Sequence, residues 1–424
     1  MEEKNLGVIF EGFFSYRKGS LHVEDTGMQE LAMAHDTPSY IYSRNYLLSQ
    51  VSRIKSAFEQ VDTMICYSVK ANSNLELLKI MRKEELGADV VSGGELRGAL
   101  IAGFPPGKIV FAGVGKKDEE IEFGVSRDIY CFNVENEEEL SSLEKYGRKY
   151  GRKVICNLRL NLDIDLDTHH YVKTSRKETK FGIDTVKAEE IIGQSGRYKY
   201  ASIEGFHLHL GSQIKEVEPY LKAMEKVEEF NRKIKFNPRI IDLGGGFGIP
   251  YSVRDKVIDI SDFGKSISSV VKSMGIEKLI LEPGRFIVGN TAVLLTRVLY
   301  VKRRGEKTFL IVDAAMNDLI RPALYGSHHT ILPVVEPSAA TPYIKADVVG
   351  PVCETGDYLG KDISVPADIK KGDLLVAANA GAYSFSMSSN YNSRPRPCEI
   401  LVDGKDSEII RKRETYEDLW KAKI

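Results

Sequence analysis

No two of the five cysteines form a CxxC pair. They stand at 66, 131, 156, 353 and 398, an odd, scattered set that suits free thiols in a reducing compartment and argues against a disulfide framework. Long apolar runs are missing too. None approaches the ~18 residues a membrane-spanning helix needs. An excess of either charge is absent: Lys plus Arg number 59 and Asp plus Glu 60, a net charge of −1. Neither nucleic acid nor a membrane surface is therefore an expected partner. The opening Met1-Glu2-Glu3-Lys4 lacks the apolar stretch of a secretory leader, so a cytoplasmic location is expected. There is no low-complexity tract, and no internal repeat beyond an alternation of strands and helices.

What is present is an ordinary soluble composition, 42% apolar and 28% charged over 424 residues, long enough for two domains at about 150 residues each. Short apolar, β-prone runs fall at 64–69, 88–91, 108–111, 129–132, 154–160, 203–210, 239–243 and 279–282. Helical patterns lie among them. Leu47, Val51, Ile54 and Phe58 recur at helical spacing within 45–60, and 75–81, 94–100 and 219–233 behave alike. Eight strands alternating with helices predict a closed (β/α)8 barrel over 36–285. After Glu282 the texture changes. Strand-like segments at 292–302, 307–312, 345–349, 373–378 and 399–402, joined by Gly- and Pro-containing loops, predict a mainly antiparallel β domain. The first 35 residues also read as strands and loops (8–15, 21–23). They are expected to join 286–424 in a discontinuous second domain.

The chemistry-bearing motifs sit at strand ends. Cys66-Tyr67-Ser68-Val69-Lys70-Ala71-Asn72-Ser73-Asn74 puts a primary amine where the first strand stops, and such ends face the active site of a barrel. A lysine fixed there can form a Schiff base with a carbonyl. His207-Leu208-His209-Leu210-Gly211-Ser212 ends the sixth strand. Its two histidines share a face and suit either metal ligation or stacking on a flat ring. No matching ligand cluster is evident in the sequence, so no metal is expected. Ser212 offers a hydroxyl to a phosphate. Asp242-Leu243-Gly244-Gly245-Gly246-Phe247-Gly248 follows the seventh strand. Its spacing matches neither a dinucleotide fingerprint nor a Walker loop, yet glycines there let backbone N–H groups close on an anion. Glu282-Pro283-Gly284-Arg285 ends the eighth strand. A glutamate beside a pyridine nitrogen would keep it protonated and the ring an electron sink. Three polar loops follow, around Arg321 and Tyr325, Cys353 and Glu354, and Tyr383.

Taken in order, these motifs resemble the fold-type III, pyridoxal-phosphate-dependent amino acid decarboxylases, nearly end to end. The resemblance implies pyridoxal 5'-phosphate as cofactor, with Lys70 carrying it, His209 stacked on its ring and Glu282 on the ring nitrogen. Ser212, Gly244, Gly245, Gly246, Gly284 and Arg285 would hold the phosphate. Asp89 and Glu95 match acidic positions near the lysine, and Tyr383 would close over the ring. Arg285, Arg321 and Tyr325 would hold the substrate carboxylate, Glu354 its distal ammonium, and Cys353 would be the acid that protonates the carbanion after carbon dioxide leaves. The resemblance further implies a head-to-tail homodimer in which Cys353 and Glu354 enter the partner's site. Two departures stand out, Thr355 where the family more often has Ser and Ala315 where it usually has Gly. Neither removes a functional group.

Arg321 bears on the substrate. A guanidinium suits a carboxylate through two parallel hydrogen bonds. An amine-ended substrate would leave it unmatched, at a cost of several kcal/mol. The expected reaction is therefore decarboxylation of meso-2,6-diaminopimelate to L-lysine, the last step of lysine biosynthesis. The alternatives are decarboxylation of ornithine, lysine or carboxynorspermidine, racemisation on the same barrel, and a catalytically dead binding homologue.

Overall fold

The computed structural model of the chain describes residues 6–163 and 180–423. The segment 165–180, expected from its His, Lys and Thr content to border the substrate entrance, lies outside them except for Lys180. Two compact units emerge. One comprises Val51–Gly248 and Ile258–Phe286, the other Met1–Gln50, Ile249–Val257 and Ile287–Ile424.

The first unit is a closed barrel of eight parallel strands: β1 (Thr63–Ser68), β2 (Gly87–Val90), β3 (Ile109–Phe111), β4 (Cys131–Val134), β5 (Val154–Arg159), β6 (Ala201–His207), β7 (Ile240–Asp242) and β8 (Lys278–Leu281). β8 pairs back onto β1 through Leu279 with Thr63 and Leu281 with Ile65, so no edge is left open. The strands are short apolar runs because both faces are covered. Cys66, Val110, Cys131, Ile240 and Ile280 fill part of the interior. The helices obey local rules. In Glu218–Ile234, Tyr220, Ala223, Met224, Val227 and Phe230 bury one stripe. Leu75–Lys83 starts at Asn74, whose side chain accepts the Glu76 N–H at 2.9 Å.

The second unit holds a small antiparallel sheet, Phe14–Arg17, Ser20–Val23 and Thr26–Gly27, and a larger nine-stranded, mainly antiparallel one. Its spine is the 13-residue strand Ala292–Arg304, which pairs with Lys307–Val312, Leu374–Ala377 and Ser39–Ser43.

Three expectations need correction. Ser39–Ser43 belongs to this sheet and not to the barrel stretch 36–285. It lies between Ala292–Arg304 and Cys398–Asp403, and all five of its residues are buried. Residues 249–257 also leave the barrel unit. Part of the run 8–15, expected as a strand, is the helix Gly7–Phe10, whose Ile9 and Phe10 are buried in the core of this unit.

Candidate active site

In the barrel unit the expected residues converge at the C-terminal strand ends. Lys70 lies in a short turn, Val69–Ala71, just past β1. Its Nζ sits 3.1 Å from Asp89 Oδ2 on β2, which also accepts a 2.5 Å hydrogen bond from Ser68 Oγ. The lysine side chain is 34% exposed while Asp89 is fully buried, so the amine is held yet reachable. Burial and the Glu282 carboxylate push Asp89 up, and Lys70 draws it back. Asp89 Oδ1 makes no hydrogen bond among the described residues. Glu95 lies in the first turn of the helix Gly93–Ile101: its Oε2 accepts the Val91 N–H at 2.8 Å, and its own N–H donates to Oγ of the capping Ser92 at 3.2 Å.

His207 closes β6 and His209 lies just beyond it. Burial, then Lys70 and Arg159, lower His209 well below the ordinary histidine range, which leaves a neutral ring suited to stacking. His207 Nε2 approaches Glu282 Oε2 at 3.5 Å, and neither ring nitrogen makes a hydrogen bond among the described residues. His207, Asp242 and Glu282 bring ligand-type atoms within 4.8 Å of one another, a convergence absent from the sequence reading. Asn133 Nδ2 reaches both carboxylates, at 2.8 Å from Asp242 and 3.1 Å from Glu282. Burial and Glu282 push Asp242 well up. Glu282 is held low although burial works the other way, chiefly by His207 and then Lys70.

The glycine loop after β7 does not open a helix, since the next one begins at Ile260. It is instead a tightly packed cradle. Gly244 and Gly246 adopt φ of +63° and +97°. A Cβ on Gly245 would meet the Glu282 carbonyl at 2.2 Å, and one on Gly246 the Gly211 carbonyl at 2.4 Å. The Gly245 carbonyl accepts from Tyr220 at 2.7 Å. Arg285 Nη2 donates to Ser212 Oγ at 3.3 Å, so a cation and a hydroxyl stand together. Gly284 packs on Ser68 and Ala71, and a Cβ there would come within 2.8 Å of the alanine.

A reachable amine, a neutral flat ring, a buried carboxylate held as an anion, a cation with a hydroxyl and a side-chain-free loop are the donor set a phosphorylated pyridine aldehyde requires. The residues fit pyridoxal phosphate.

The remaining expected residues lie in the second unit. Arg321, at the start of Arg321–Tyr325, is buried. It donates to the Tyr251 hydroxyl at 2.6 Å and to Ser327 Oγ at 3.2 Å. His329 Nδ1 donates to the Ala378 carbonyl at 2.8 Å, which leaves Nε2 to accept from Arg321 at 3.3 Å. Tyr325, in the last turn of that helix, is half-buried. Cys353 and Glu354 are exposed. The Cys353 N–H donates to Asn392 Oδ1 at 2.8 Å and Tyr391 reaches Glu354 at 3.4 Å. Asp357 shapes their turn by accepting the Val352 and Met316 N–H groups, both at 2.7 Å. Tyr383 adopts φ +56°, a left-handed conformation that a bulky residue holds only where its surroundings enforce it. The departure at Ala315 is accommodated by Gly350, whose own Cβ would lie 2.6 Å from the Ala315 methyl. Sequence reasoning missed roles for Asn133, Asn157, Asp242, Tyr251 and His329. For the two asparagines a signal existed, a polar residue interrupting the apolar strands β4 and β5.

A (β/α)8 barrel carrying a lysine after its first strand and a glycine loop after its seventh is the arrangement of the pyridoxal-dependent decarboxylases. The model of their pyridoxal binding domain matches residues 44–289. The chain is 42% identical over 414 residues to the diaminopimelate decarboxylase of Aquifex aeolicus, covering 96% of each chain. It is 42% identical over 403 residues to that of Neisseria meningitidis, covering 94% of this chain and 97% of the relative. The chain belongs to the diaminopimelate decarboxylase family. Among solved structures, the Helicobacter pylori enzyme complexed with L-lysine aligns at a TM-score of 0.87 and 38% identity, over 93% of this chain and 98% of that one. The M. jannaschii enzyme with L-lysine aligns at 0.91 and 32%, over 97% and 98%. A lysine/ornithine decarboxylase from Vibrio vulnificus, 19% identical at a TM-score of 0.77, shares the fold. No described helix is long and apolar enough to cross a membrane.

Proposed function

We propose that this protein decarboxylates meso-2,6-diaminopimelate to L-lysine and CO2, with pyridoxal 5'-phosphate as cofactor, as a cytoplasmic homodimer with shared sites. The observation that carries the reading is Lys70 Nζ, held by buried Asp89 at the C-terminal end of a barrel whose sixth, seventh and eighth strands lead into His209, the Gly244–Gly246 loop and Glu282. The relatives and the two structures holding L-lysine support the substrate.

Bound pyridoxal phosphate supplies a protonated ring that takes up the electron pair left when the carboxyl group departs. The chain's own groups do the rest. Lys70 offers the amine that attaches to the cofactor. Glu282, kept ionised by its surroundings, provides the negative charge for the ring nitrogen. Ser212, Arg285, Gly284 and the Gly244–Gly246 backbone would hold phosphate, His209 would stack on the ring, and Tyr383 would close over the cofactor. Arg321 and Tyr325, with Arg285, take substrate carboxylate, and Glu354 takes ammonium. Such remote contacts orient the scissile bond. The Cys353 thiol holds the proton that Cα receives. The exposure of Cys353 and Glu354 in the single chain supports their use in a partner's site.

The test is CO2 release from meso-diaminopimelate, L-ornithine and L-lysine, offered in parallel with added cofactor. Release from diaminopimelate alone, with L-lysine as product, is the expected result. Release mainly from a diamine precursor would overturn the assignment of Arg321.

A further inference from the structure

Beneath the barrel's C-terminal face, buried side chains form one continuous donor–acceptor chain. Asn157 Nδ2 on β5 donates to Asn133 Oδ1 on β4 at 3.2 Å. That contact fixes the Asn133 amide, since its oxygen is engaged and its nitrogen must face the acceptors. Nδ2 then donates to Asp242 Oδ2 at 2.8 Å and to Glu282 Oε1 at 3.1 Å. Asp242 Oδ1 accepts the Gly244 N–H at 2.9 Å. The strand is pinned at the same point: Lys116 Nζ donates to the Asn133 carbonyl at 2.7 Å and to Glu139 at 2.9 Å. Asn133, Asn157 and Asp242 are fully buried.

We infer that Asn133 is a positioning residue for Glu282: its amide bridges Glu282 to Asp242 and so fixes where the carboxylate that meets the cofactor ring nitrogen points. The inference rests on the pyridoxal-phosphate reading above. Two buried carboxylates this close do not both ionise. Burial and the neighbouring Glu282 carboxylate push Asp242 toward holding a proton, while Glu282 is the member held low. The bridging amide donates to both, so it supports the charged Glu282 without demanding a second charge. Removing it frees Glu282 to turn and strips the anion of a donor.

A double-mutant cycle on the full-length protein tests this. Cofactor dissociation constants by equilibrium dialysis, and absorbance spectra of bound cofactor against pH, are measured for wild type, Asn133→Ala, Glu282→Gln and the double variant. Melting of the cofactor-free proteins controls for folding. Asn133→Ala should weaken cofactor retention about tenfold when Glu282 is present, the size of one lost hydrogen bond to a charged group. It should also move the pH response of the spectrum. In the Glu282→Gln background the same change should cost less than about twofold. Asn133→Leu, which keeps the branched shape and removes the donor, should repeat the pattern. Equal losses in both backgrounds, or failure of both variants to fold, would make Asn133 structural and overturn the inference. Failure of the wild type to bind pyridoxal phosphate would instead overturn the parent reading.

Discussion

Lys70 and Cys353 meet different surroundings, and their variants should fail differently. Lys70 is half-sheltered against Asp89. Lys70→Ala should abolish the visible absorbance of bound cofactor together with turnover, and a variant that kept both would refute the lysine assignment. Cys353 is exposed, so Cys353→Ala carries little folding cost. Losing a general acid is worth roughly 10²–10⁴ in rate. kcat should fall on that scale while cofactor affinity stays within about twofold, and loss of cofactor instead would make the cysteine structural. Glu95 offers a pH readout. Burial pushes its carboxyl up to about 7 from 4.5, so between these values the folded chain keeps a proton the unfolded chain has lost. Its contribution to stability is full below that window and falls as pH rises through it, by at most about 1.4 kcal/mol per pH unit. Glu95→Gln keeps a carbonyl for the Val91 N–H and should flatten that slope. Melting both proteins at pH 5 and pH 7.5 checks it.

At the scale of elements, packing overrules propensity at Gly264. It lies inside the helix Ile260–Ser273, where alanine would gain about 1 kcal/mol from propensity alone. A Cβ there would fall 1.8 Å from the Ala57 carbonyl, a backbone atom that cannot swing aside. Gly264→Ala should therefore destabilise by about 1–3 kcal/mol, measurable by urea denaturation, and a stabilised variant would mean the helices can slide apart. The barrel strands were legible because each is a short apolar run punctuated by polar turns, and each was located to within a few residues. Helices Asp118–Arg127 and Glu137–Tyr150 were passed over. Their sequences are mostly charged, and their apolar stripes, Ile121 and Val125 in one and Leu140 and Leu143 in the other, are thin. Ser39–Ser43 was misplaced because its partners lie far along the chain, at Ala292–Leu295 and Cys398–Val402, and sequence adjacency pointed to the barrel. Lys70, His209 and Glu282 announced themselves through motifs. Asn133 gave only the faint signal of a polar residue in an apolar strand, because its meaning depends on Asp242 and Glu282, which come from elsewhere around the barrel.

For the whole molecule, the proposed shared site makes a quantitative demand. Equal amounts of the Lys70→Ala and Cys353→Ala proteins, dissociated and reassociated together, should recover about a quarter of wild-type activity. Half the redistributed dimers are then mixed, and each mixed dimer holds one intact site. Activity no higher than that of the separate parents would show that each chain completes its own site.

Between Gly248 and Ile258 the chain departs from the barrel unit and returns. That excursion carries Tyr251, whose hydroxyl steadies Arg321, directly after the Gly244–Gly246 cradle in sequence. The two units are therefore not interchangeable modules. A hybrid enzyme, built by grafting the second unit of a relative with another substrate preference, must import this short stretch as well. Otherwise the new arginine loop arrives without its phenol, and a single recombination point near Phe286 cannot supply it.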